Sequence, residues 1–265
     1  MTILNDIVQN TREKLVHKKI EVPLEKIKLQ LDSLKLPKGA FKENLINKDQ
    51  AIIAEIKKAS PSAGIISENF NPVEKAKEYE AFGASALSIL TEEDFFQGSS
   101  QFLIDVKAVS KLPIIRKDFM IDEYQIYEAK LMGADCILLI VSVLSDDEIT
   151  QFVEVAESLE LDYLIEVHDE AELKRIAHHE GAVDMVEHLL DQPGSAYDPV
   201  LYEFIGDATI IAHNAEFDTS WLIIEFMKHN LPLQKNNIVC TFRWAQAMNE
   251  SAIDEFLGNH AKGLY

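Results

Sequence analysis

Apolar residues follow two rhythms along the chain. In the first 36 residues Ile3, Leu4, Ile7, Val8, Leu15 and Val16 recur at three- and four-residue intervals, and after Pro23 so do Leu24, Ile27, Leu31 and Leu34. That spacing gathers them on one side of a helical turn and predicts two amphipathic helices with a break at Pro23. From residue 50 the pattern changes to apolar runs of strand length, Ala51–Ile56, Ala86–Leu90, Leu112–Ile115, Cys136–Val141 and Tyr163–Val167. Each is followed by a longer helical stretch, and the runs start roughly 25 to 35 residues apart, the spacing of βα units in a parallel sheet. The unbroken run Cys136–Val141 predicts a strand buried on both faces, as a barrel or a doubly wound sheet requires.

After about residue 177 the rhythm falters. His178–Pro199 is rich in turn residues and reads as loops with a short helix around Val183–Leu190. Beyond it the pattern predicts a helix near Val200–Phe204, a strand Thr209–Ala212, a helix Phe217–His229, a strand Asn237–Phe242 and a helix from Trp244 onward. The chain thus divides into an N-terminal helical extension (1–49), a segment of five βα units (50–177) and a separate βαβα segment (178–265). The two late strands are expected either to add to the edge left by the fifth strand, giving a seven-stranded open barrel, or to form a small lobe of their own.

Composition narrows the function classes. A net charge of −20 and a pI near 4.7 argue against a surface that grips nucleic acid by neutralising phosphates, while leaving room for an acidic site that holds metal. Residues 1–49 carry ten basic and seven acidic side chains, so the acid excess lies in the body, an arrangement compatible with an extension that packs against it. Two solvated surfaces of different composition would account for the split equally well. Two cysteines are too few for a disulfide framework, and a reducing cytoplasm is the expected location. The longest apolar run, Cys136–Leu144, falls short of the roughly 20 residues of a membrane span, and the N-terminus lacks the pattern of a signal peptide, so no membrane association is expected.

Polar residues stand at the C-terminal ends of the runs, where a parallel βα barrel places its chemistry. The strings IIAEIKKASPS, ALSILTEEDFFQGS, LPIIRKDFMIDEYQI, GADCILLIVSVLSDDEI and LDYLIEVHDEAEL carry them, in that order. Over residues 1–177 the chain resembles indole-3-glycerol phosphate synthase, two extra N-terminal helices included. The resemblance implies a (β/α)8 TIM-barrel-like α/β fold, no metal or redox cofactor, and a small phosphorylated substrate. That substrate is 1-(2-carboxyphenylamino)-1-deoxyribulose 5-phosphate, which closes a ring and loses carbon dioxide and water. By the same resemblance Lys117 is the general acid and Glu166 the base, Lys57 holds the substrate carboxylate or shares the acid role, and Glu55 orients the lysines. Ser60 helps bind phosphate, and Phe96, Phe119 and Leu138 form the apolar wall for the aromatic ring. Read without the motifs, Lys117 and Glu166 would be a rim ion pair, and Ser60-Pro61 a helix start with serine as the cap. Ala63 stands where the family usually has a basic residue.

The family's later motifs are not found. Its sixth strand brings a string like GINNR, its seventh a Glu-Ser pair and its eighth a Gly-Ser phosphate loop, and none occurs after residue 177. The expected architecture is therefore an incomplete barrel of five βα units followed by a non-homologous βαβα segment, with two sheet edges to be covered. Residues 206–218, ending HNAEFD, resemble the second motif of proofreading 3′–5′ exonucleases, and residues 237–245 resemble the stretch that follows it; the likeness spans about 181–249. That chemistry needs four carboxylates around two metal ions, and Asp218 alone matches. The histidines, His168 among them, form no metal-ligand spacing and are expected to be packing or surface residues.

Overall fold

In the computed structural model the described residues are 3–46, 50–61, 64–66, 69–176, 182–185, 210–212 and 238–240. The helical extension comprises α1 (Ile3–Glu21) and α2 (Leu24–Ser33), followed by α3 (Phe41–Ile46). Leu15 of α1 and Ile27 of α2 pack with Tyr124 in one apolar cluster. The basic side chains of α1 meet acids of the body: Lys14 pairs with Glu93 and Asp94, Lys18 with Glu128 and Lys19 with Asp122. Helix α3 lies outside the two expected helices. Its Phe41 and Leu45 join Ala51, Ile53, Ala86 and Cys136, residues from the N-terminal halves of the strands, and so close that end of the sheet.

The strands that follow are β1 (Gln50–Ala51), β2 (Ile53–Ile56), the hairpin β3 (Ala59–Ser60) and β4 (Gly64–Ile65), β5 (Ala86–Leu90), β6 (Ile114–Lys117), β7 (Cys136–Ile140) and β8 (Asp162–Val167). Between them lie α4 (Pro72–Ala81), α5 (Ser100–Lys107), α6 (Glu123–Met132) and α7 (Asp146–Ser158), with α8 (Glu170–Ile176) after β8. Local chemistry fixes the helix starts. The side chains of Asn71, Ser99, Asp122 and Ser145 each accept from backbone N–H groups one turn in, and Ser145 with Glu148 forms a reciprocal capping box. Such a cap contributes about 1 kcal/mol to its helix. Gly133 ends α6 in the left-handed region at φ 89, which a side chain would resist.

Strands β2, β5, β6, β7 and β8 pair in parallel in sequence order, and the ladder continues through β9 (Ala182–Met185), β10 (Ile210–Ala212) and β11 (Ile238–Cys240) to β1. Ile52 alone separates β1 from β2, so the ladder returns to its own start and both edges are paired. Two expectations are corrected here. Residues 182–185, expected to begin a helix, are a strand. The partner of Tyr163–Val167 is therefore Ala182–Met185, with Ile210–Ala212 one position further, in place of a seven-stranded open arrangement. The physical reason is that an unpaired parallel edge leaves backbone donors and acceptors unmatched, and a third short segment, Ala182–Met185, supplies partners beside the two expected late strands. The expected helices after residue 186 lie outside the described residues. Among the described residues no helix is long and apolar enough to cross a membrane.

Alternation along the strands sorts two cores. Ala54, Ile56, Leu87, Ile89, Ile137 and Leu139 pack with the helices, whereas Ala51, Ile53, Ala86, Ile115, Cys136, Leu138, Ile140 and Leu164 fill the interior. The same period of two carries Glu55 and Lys57, Lys117 and Phe119, and Glu166 and His168 onto the interior side at the C-terminal end of the sheet.

Candidate active site

Lys117 ends β6 and Glu166 stands near the end of β8, one strand apart from each other across β7. Lys117 Nζ donates to Glu166 Oε2 at 2.9 Å, with about a quarter of the lysine side chain and an eighth of the glutamate side chain exposed (27% and 13%). Glu166 also faces His168, whose Nε2 lies 3.3 Å from Oε1. Burial pushes the Glu166 carboxyl up, yet Lys117 and His168 outweigh it and bring the pKa to about 2. His168 is pushed up to about 8, first by its hydrogen bond to Glu166 and against its desolvation. Glu166 is thus held as a carboxylate at neutral pH, beside the Lys117 amine that donates to it.

Lys57 follows β2 and pairs with Glu55 at 2.5 Å, so Glu55 holds Lys57, while Lys117 is held by Glu166. Phe119 follows Lys117 by two residues and packs against the interior cluster that contains Leu138. Phe96 comes from the loop after β5, and its ring centroid lies 6.0 Å from that of Phe119 at 37°. The loop is pinned by Glu92, a buried carboxylate that accepts from the backbone N–H groups of Asp94, Phe95 and Phe96 at 3.0, 2.7 and 3.0 Å. Gly98 closes this loop where a Cβ would meet Leu90 and Glu92 carbonyl oxygens at 2.5 and 2.7 Å, which only glycine avoids.

Ser60 lies in the hairpin, opposite Gly64, half-buried beside the site end of β2. No helix starts at Pro61; the extended hairpin replaces it, and the next helix begins at Pro72 under its own Asn71 cap. Ala63 and the exonuclease-like residues, Asp218 and the rest of HNAEFD included, lie outside the described residues. The strand-end pattern did not single out His168 or Glu92. A signal existed for each: His168 follows Glu166 by two on an extended segment, and Glu92 precedes a turn whose N–H groups need an acceptor.

The family model described as Indole-3-glycerol phosphate synthase matches residues 4–184. Curated indole-3-glycerol phosphate synthases are similar: that of Acidithiobacillus ferrooxidans is 46% identical over 176 residues, 65% of this chain and 67% of the relative. That of Clostridium acetobutylicum is 49% identical over 172 residues, 65% of each chain. The chain thus spans about two thirds of the length of the relatives it matches. Among solved structures, the tryptophan synthase A-subunit of Pyrococcus furiosus is 15% identical with a TM-score of 0.46, covering 72% of this chain and 86% of that one. With the family model spanning well over half of its residues, the chain belongs to the indole-3-glycerol phosphate synthase family.

Proposed function

We propose that the chain acts as an indole-3-glycerol phosphate synthase, with the Lys117–Glu166 pair as its acid and base. The observation that carries this reading is the 2.9 Å contact between a lysine and a glutamate at the interior, C-terminal end of the sheet. The substrate's aromatic ring stacks against the wall of Phe96, Phe119 and Leu138, its carboxylate meets Lys57, and its phosphate lies toward Ser60. Lys117 gives a proton to the carbonyl oxygen as the aromatic carbon attacks the carbonyl carbon. Carbon dioxide leaves with its bonding electrons returned to the ring, and the hydroxyl takes a second proton, from Lys57 with bulk water replacing it, and departs as water. Glu166 takes the proton released as the new ring becomes aromatic. Because the two groups are in contact, that proton can pass back to the lysine amine and restore the starting state. A carboxylate of low pKa suits this base, since the proton it removes sits on a cationic intermediate and is itself strongly acidic.

A second reading is favoured by the residues after 177, which lack the family's phosphate-binding strings. In it the chain is an inactive hybrid that keeps the acid–base half of the site. Fluorescence-detected formation of indole-3-glycerol phosphate by the full chain, with chelator present, separates the two. Turnover supports the first reading, and its absence leaves the second. Metal-dependent nucleotide release lost in Asp218→Ala would instead favour the exonuclease resemblance.

A further inference from the structure

We propose that His168 is a positioning residue for Glu166: anchored by Glu172, its ring holds one oxygen of the Glu166 carboxylate while Lys117 holds the other. The inference rests on the synthase reading for its catalytic meaning, and on geometry for its existence. Glu172 of α8 accepts from the His168 backbone N–H at 2.7 Å, and the same oxygen, Oε2, lies 3.2 Å from Nδ1 of the ring. One carboxylate therefore fixes both the backbone and the side chain of His168. The other face of the ring, Nε2, is thereby aimed at Glu166 Oε1 at 3.3 Å. Glu172 is set by its place in the first turn of α8, where Asp169 accepts from its backbone N–H at 2.8 Å. The carboxylate of Glu166 is gripped from two sides, by Lys117 at the end of β6 and by His168 just after β8, with Glu172 of α8 behind the histidine.

Both ring nitrogens can donate only when the imidazole is protonated. Deprotonation leaves one N–H for two carboxylates, and the tautomer that keeps Glu172 turns a lone pair toward Glu166. The grip on the base is then released. The groups facing the ring are Glu166 on β8, Glu172 on α8 and Ser142 in the loop after β7, whose Oγ lies 3.5 Å from Nδ1. Lys117 acts through Glu166, and Asp184 occupies the register position beside Glu166 on β9. The raised pKa of His168, about 8, places the release on the alkaline side of neutrality.

The test is an imidazole titration by NMR on the full chain, wild type, Glu166→Gln and Glu172→Gln, together with steady-state kinetics of His168→Gln. We expect the His168 midpoint near 8 in the wild type to fall by roughly one unit in Glu166→Gln and to fall also in Glu172→Gln. His168→Gln should lower kcat by about tenfold with KM little changed, and should remove the alkaline limb of the kcat profile. A midpoint unmoved by Glu166→Gln overturns the inference, as does a His168→Gln enzyme with the wild-type kcat profile. A wild-type chain without turnover that nevertheless shows both midpoint shifts would sink the synthase reading and uphold the grip on Glu166.

Discussion

Lys117 and Glu166 approach to 2.9 Å although β7 lies between their strands. The contact requires both side chains to point into the sheet's interior, and alternation along β6 and β8 provides this, since Ile115 and Leu164, two residues earlier on each strand, lie in the interior cluster. The residue between, Arg116, points the opposite way and is buried among the helices. Neighbouring residues of one strand thus face opposite ways, Lys117 into the interior toward Glu166 and Arg116 outward.

That outward site yields a stability prediction. Arg116 bonds Asp118 at 2.9 Å, Glu128 at 2.9 Å, the Thr91 hydroxyl at 3.1 Å and the Gln125 carbonyl at 3.1 Å. Arg116→Met removes the cation that Asp118 and Glu128 share. The expected loss is about 3–5 kcal/mol, read from urea unfolding. A change below about 1 kcal/mol would show that the network is held by something other than the guanidinium.

Glu92 makes a prediction about binding. Its carboxylate satisfies three successive N–H groups of the loop that presents Phe96. Glu92→Ala frees that loop and should raise KM about tenfold with a smaller effect on kcat, since in the proposed function the Phe96 ring binds substrate without moving protons. Equal loss in kcat would place Glu92 nearer the chemistry than its contacts allow.

The pH dependence of stability follows from the two shifted groups. Glu166 is lowered from 4.5 to about 2, so its contribution is full above 4.5 and is lost as pH falls through 2. His168 is raised from 6.5 to about 8, so its contribution is full below 6.5 and is lost as pH rises through 8. The pair therefore favours the folded state most between about 4.5 and 6.5. Urea midpoints across the acid and alkaline limbs should show both slopes, and Glu166→Gln should flatten both together. An unchanged alkaline slope in that variant would contradict the coupling.

The parts of the fold that were legible are those where pattern and packing agree. Runs such as Cys136–Val141 are strands because both faces are buried, and Glu55, Lys117, Leu138 and Glu166 share the interior side because each run alternates. Helix α3 was hidden because six residues are too few to display a helical period. Residues 182–185 read locally as the start of a helix, and only their pairing with β8 makes them a strand. Pro61 suggested a helix start, but the backbone of Ser60 finds its partner in Gly64. The role of His168 depends on Glu172, a residue on another element, and contacts of that kind are not written in spacing alone.

The proposed function stands on Lys117 and Glu166 as the working acid–base pair of a synthase. The most direct measurement is the initial rate of indole-3-glycerol phosphate formation, followed by fluorescence with chelator present, for the full chain and for Lys117→Ala and Glu166→Gln. The account predicts measurable turnover in the wild type and a fall of about 100-fold or more in each variant. Turnover that survives either substitution, or a wild type that forms no product while binding the substrate, would contradict it.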